Sequence, residues 1–123
     1  MRRISLCVVL IATGLLVPAS ALAHRSATKN ERVAILAAAV HQGEISSTQA
    51  VCQTVTVSTV NQTYAILTWP AKLSKACAQV AASGEIVEHK KGTSWQLVAA
   101  GSSFLCPTKT IPVAVARDLG VCH

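Results

Sequence analysis

The chain has 123 residues, 51% of them apolar, and a net charge of +6, which allows one small domain with one modest core. Its basic residues are dispersed. The adjacent pair Lys90-Lys91 forms no stripe with interleaved aromatics, so nucleic acid is not indicated as a partner.

The first residues, MRRISLCVVLIATGLLVPASALA, read as a secretory signal peptide over residues 1–23. Arg2 and Arg3 are its basic start. Ile4 to Val17 is its apolar run, shorter than the roughly 20 residues that span a bilayer core. Ala21 and Ala23 supply the small residues before a cut; Ala19 and Ala21 offer a second cut after Ala21. Processing after Ala23 leaves residues 24–123 as a single secreted domain. That domain has nine Lys and Arg against five Asp and Glu, a net +4. No second long apolar segment follows, so no membrane span is expected after cleavage, and the product is placed outside the cell or at the exterior of its envelope.

Thr28 to Glu31 fits a Ser/Thr-x-x-Glu capping box, and Val33, Leu36, Ala37 and Val40 then recur at helical spacing, with Gly43 as a stop. This predicts a helix from about Lys29 to Gln42. In Val51 to Val60, valines alternate with Thr54, Thr56 and Ser58, as in a half-buried strand. Asn61-Gln62-Thr63 is a turn and also an N-glycosylation sequon. YAILTW is a second strand, ended by Pro70. The segment from Ala71 to Ser83 is either a short helix or a loop tethered by Cys77. Ile86 to Lys90 and Ser94 to Ala100 form a hairpin around Lys91-Gly92. IPVAVARDLG is a short helix, with Pro112 at its start and Gly120 past its end. The sum is an α+β fold: an antiparallel sheet of about four strands, with the N-terminal helix and a short C-terminal helix covering one face.

Four cysteines remain after processing, an even number that reads as two disulfides in an exported chain. Three pairings are open. Cys52–Cys77 and Cys106–Cys122 are preferred because both close local loops. Zinc is disfavoured by the absence of any Cys-x-x-Cys.

Three stretches carry a resemblance: VSTVNQTYA, GTSWQLVAAGSSFLCP and IPVAVARDLGVC. Together they resemble small exported disulfide-containing proteins of high-GC Gram-positive bacteria, which show Gly-x-Trp, then Gly-Ser, then Cys, and an Asp-Leu-Gly-x-Cys tail. They also show a Ser-x-x-Asp-x-x-Trp/Tyr-Ala stretch, matched here by Ser58 to Ala65 with Asn61 in place of the Asp. The resemblance implies a bacterial source, export, one α+β domain and the Cys106–Cys122 bridge. It implies no activity.

The chemistry-bearing residues form no familiar catalytic set. Gly101-Ser102-Ser103 lacks the second Gly of a nucleophile elbow, and nothing in the sequence places His41 or His89 beside Ser103. Ser26-Ala27-Thr28-Lys29 matches Ser-x-x-Lys without its companion motifs, and fits the start of a helix. Glu85 and Glu88 are three apart, so a strand points them to opposite faces. Glu31, Glu44 and Asp118 lie near helix ends, where capping or dipole roles suffice.

Two binding readings carry named residues. Cleavage after Ala23 would free the α-amino group of His24, which with its ring and a second imidazole from His41 or His89 makes a copper brace; otherwise His24 heads a frayed tail. Gln53-Thr54-Val55-Thr56-Val57 falls where cystatin-type protease inhibitors carry Gln-x-Val-x-Gly, with Val57 in place of the Gly. The leading expectation is a non-catalytic exported binding or interaction module. Its partner is a protein or an envelope component, and no cofactor is expected. Trp95, Leu97 and Ala99 are expected on one side of a strand, with Cys106 fastening the last helix to the sheet.

Overall fold

A computed structural model describes residues 24–123; the expected signal peptide over residues 1–23 lies outside the described residues. In chain order the elements are β1 (His24–Ser26), α1 (Lys29–His41), α2 (Ser47–Ala50), β2 (Thr54–Ser58), β3 (Tyr64–Thr68), α3 (Lys75–Val80), β4 (Glu85–Lys91), β5 (Ser94–Gly101) and α4 (Val113–Asp118). The strands form one antiparallel sheet in the order β1-β2-β3-β4-β5. No helix among the described residues is long and apolar enough to cross a membrane.

The capping box starts α1. The Thr28 hydroxyl accepts from the Glu31 amide at 3.3 Å, and the Glu31 carboxylate accepts from the Thr28 amide at 2.8 Å. The helix then lays Ile35 and Ala39 on the sheet, where they meet Val55, Val57, Ala65, Leu67, Ile86 and Trp95. Its C-terminal neighbour Gln42 closes the free edge of β5. The Gln42 side chain accepts from the Leu97 amide at 2.8 Å and donates to the Trp95 carbonyl at 3.3 Å, taking the place of a missing strand.

Three details depart from expectation. The sheet has five strands rather than about four, because His24 to Ser26 pairs with Ser58 to Thr56 instead of fraying. Its bonds are made by backbone, so no apolar pattern announces it. The helices also take opposite faces. α1 covers one, while α4 packs Val115, Ala116 and Leu119 against Tyr64, Ile66 and Val87 on the other. The reason lies in β3, whose residues Tyr64 to Leu67 are buried in succession; a strand apolar on both sides requires cover on both. Third, Trp95, Leu97 and Ala99 do not share a side. Glu88 pairs with Leu97 and Val87 with Ala99, which leaves Val98 as a bulge. Trp95 and Leu97 therefore join the α1 core, and Ala99 joins the α4 core.

Two disulfides fasten the periphery. Cys52–Cys77 joins the end of α2 to α3 with Cα atoms 5.6 Å apart. Cys106–Cys122 joins the segment after β5 to the segment after α4, at 5.9 Å. Each closes a loop of the length for which chain-entropy arguments give about 3 kcal/mol.

Candidate functional site

The site sits at the end of the sheet where β4 begins and β5 finishes. Gly84 has a φ of +110°, and a Cβ there would lie 3.2 Å from the Gly101 carbonyl oxygen, so the two chains approach as only glycine permits. Across from them stands α2, set by its own capping box between Ser46 and Gln49. The Gln49 side chain donates to the Val80 carbonyl at 3.0 Å, and Cys52–Cys77 ties the end of α2 to α3 covalently.

Between these walls lies a cleft of about 160 Å³. Glu44, Gln49, Gln53, Trp69, Ser83 and Glu85 supply its polar and aromatic lining; Ile45, Leu67 and Ile86 are the apolar floor. Gln53 is 5% exposed, yet no hydrogen bond to its side chain is found among the described residues. Among the described residues the fully buried side-chain atoms without a partner are the two oxygens of Glu88, so the Gln53 amide keeps its access to the cleft while making no bond within the fold. Glu44 and Glu85 are likewise unpaired. The single ion pair among the described residues is Arg25–Glu31 at 2.8 Å, and no Lys or Arg lines the cleft.

A third acid stands close by. Glu88 is fully buried on the α1 side of β4, opposite Ala65 and Leu97, and neither carboxylate oxygen has a hydrogen-bond partner. Burial, followed by repulsion from Glu44, pushes its pKa up to about 7. Three of the domain's five acids thus lie in or beside one end of a protein that is basic as a whole.

The residues named from sequence are placed elsewhere and apart. His24 is in β1, with its Nδ1 3.0 Å from the Asp118 carbonyl oxygen. A carbonyl only accepts, so Nδ1 is the protonated nitrogen there, whereas a copper brace needs its lone pair. The His89 ring stacks on Tyr64 at 4.0 Å, and His41 borders a separate, more open groove between α1 and β5. Among the described residues no three His, Cys, Asp or Glu side chains gather as a metal site. Ser103 is exposed in the turn after β5. Thr54 to Val57 is strand interior, paired with β3 along its length, rather than an inhibitory loop. Gln53, singled out within that run, turns out to wall the cleft instead.

Asp118 does more than its place at a helix end suggests. It accepts from the Ser58 hydroxyl at 2.5 Å and from the Thr59 amide at 2.7 Å, which anchors α4 on the β2–β3 turn. The cleft residues were beyond sequence reasoning because they come from positions 44 to 101 and meet only through sheet register and a disulfide. The one local signal was Glu88, an acid inside the apolar run Ile86-Val87-Glu88. Comparison with family models, curated proteins and solved structures finds no match for this chain.

Proposed function

We propose that this protein is an exported, non-catalytic binding module of the cell exterior, and that the cleft between α2 and the β4–β5 end is where it holds its partner. The observation that carries the reading is Gln53: a nearly buried amide, on the cleft wall, with its hydrogen-bonding capacity unspent. Polar groups left in that state at a concave site are what an incoming ligand satisfies. Export is supported by the basic start, apolar run and small-residue cut sites of residues 1–23, and two disulfides suit an oxidising exterior. The non-catalytic part rests on the candidate nucleophile and bases: Ser103 lies in an exposed turn, and His89 is engaged by Tyr64.

The test is a two-dimensional NMR screen of small polar fragments against isotope-labelled, oxidised protein. Hits are expected to move the side-chain amide signals of Gln49 and Gln53 and the indole signal of Trp69. Hits that cluster on the α1–β5 groove around Ala37 and Thr93, leaving the cleft signals still, would place the site elsewhere. Turnover of any screened substrate that a cleft substitution abolishes would replace binding with catalysis.

A further inference from the structure

We infer that the cleft receives a single organic cation, the guanidinium or ammonium end of an arginine or lysine side chain presented by a polypeptide partner. The inference rests on the cleft being the ligand site and adds what the ligand is.

Charge is the first argument. Glu44 and Glu85 face the cleft with no cation to balance them, in a domain whose nine Lys and Arg would have allowed one. Glu44 also follows the C-terminal end of the thirteen-residue α1, where the helix dipole is itself negative. A neutral ligand would leave these carboxylates unbalanced; a cation balances them. Gln53 sharpens the point, because its free amide oxygen is an acceptor that matches the several N–H donors of such a group.

Second, the lining suits an organic cation. Among the described residues no three His, Cys, Asp or Glu side chains come together as a metal site. Trp69 supplies an aromatic surface and Leu67 and Ile86 an apolar floor, which suit an alkyl stem carrying a charged head. Size is the third argument. A volume of about 160 Å³ matches the roughly 150 Å³ cavity that accepts a benzene-sized group, and is well below the roughly 300–1,000 Å³ of pockets for whole small molecules. The cleft takes the end of a side chain, so further affinity comes from the chain that bears it.

The experiment titrates purified, oxidised protein with n-butylguanidinium, with its neutral near-isostere N-butylurea, and with the pentapeptide Gly-Gly-Arg-Gly-Gly. The readout is the indole N–H signal of Trp69, with buried Trp95 as the internal control. The guanidinium is expected to bind at least about ten-fold more tightly than the urea, as charge-assisted hydrogen bonds are roughly twice as strong as neutral ones. The peptide is expected to exceed both. Glu85→Gln is expected to reduce guanidinium affinity about ten-fold while leaving the Trp95 signal in place, which reports an intact fold. Urea binding equal to guanidinium at Trp69 overturns the cation and leaves the cleft as a ligand site. Free guanidinium binding as tightly as the peptide overturns the polypeptide source. Shifts that never reach Trp69 overturn the inference and the site together.

Discussion

The Ser58 hydroxyl donates to the Asp118 carboxylate at 2.5 Å, across sixty positions of sequence, and this contact holds the C-terminal helix to the sheet. The same carboxylate accepts from the amides of Thr59 and Val60 at 2.7 and 3.3 Å, so one side chain organises the turn after β2. Asp118→Ala leaves these donors without their acceptor and is expected to destabilise the fold by about 3 kcal/mol in urea unfolding. Burial pushes the Asp118 carboxyl up, but the hydrogen bonds from Ser58, Val60 and Thr59 outweigh it and hold it below the usual range. Its stabilisation is therefore complete above the unfolded value of about 4 and is lost as pH falls through the folded value. The acid limb of the stability curve should flatten in Asp118→Ala.

Glu88 gives the opposite slope. Burial, then Glu44, raises its pKa to about 7, above an unfolded value near 4.3. The folded state thus favours the protonated acid, and stability falls as pH climbs between those values. Glu88→Met should be more stable than the native protein at both pH values, by about 2 kcal/mol more at pH 8 than at pH 4, because the unpartnered carboxyl costs stability even when neutral and the charge adds to that cost only above its pKa. Thermal melts at the two pH values check this; an equal difference at both would mean that Glu88 is not paying a charge penalty.

Cys106→Ser opens the loop to Cys122, sixteen positions away, and is expected to remove about 3 kcal/mol, or about 15 °C of melting temperature. Ser103→Ala, at an exposed position three residues earlier, should leave the melt unchanged. Equal losses would mean that the turn, not the bridge, holds the segment.

Gly84 and Gly92 both have positive φ, at +110° and +62°, but only Gly84 has a neighbour in the way of a Cβ. Gly92→Ala should cost about 1 kcal/mol for its left-handed backbone. Gly84→Ala should cost about 2–3 kcal/mol, because strain and the contact with Gly101 act together. Chemical denaturation of the pair measures the difference.

Much of the fold was legible because its causes are local. Thr28 and Glu31 mark the start of α1, Gly92 the β4–β5 turn, and Pro112 and Gly120 bracket α4. What escaped depends on partners distant in sequence. β1 is held by backbone pairing with β2 and by the Arg25–Glu31 pair, neither of which leaves a periodic pattern. The Val98 bulge is visible only in the register against β4, and it sends Ala99 to the face opposite Leu97. The cleft is least legible of all. Gln53 beside Cys52 reads as the start of a strand until the disulfide to Cys77 and the approach of Gly84 to Gly101 put a wall in front of it.

The claim that the cleft exists for a ligand rests on Gln53, and the melting temperature of Gln53→Met tests it most directly. Met keeps the length of the side chain and removes an amide that makes no hydrogen bond within the fold. If the amide is kept for a ligand, Gln53→Met melts at or above the native temperature. A fall of about 5 °C or more, equivalent to about 1 kcal/mol, would show that the amide serves the fold and would contradict the account.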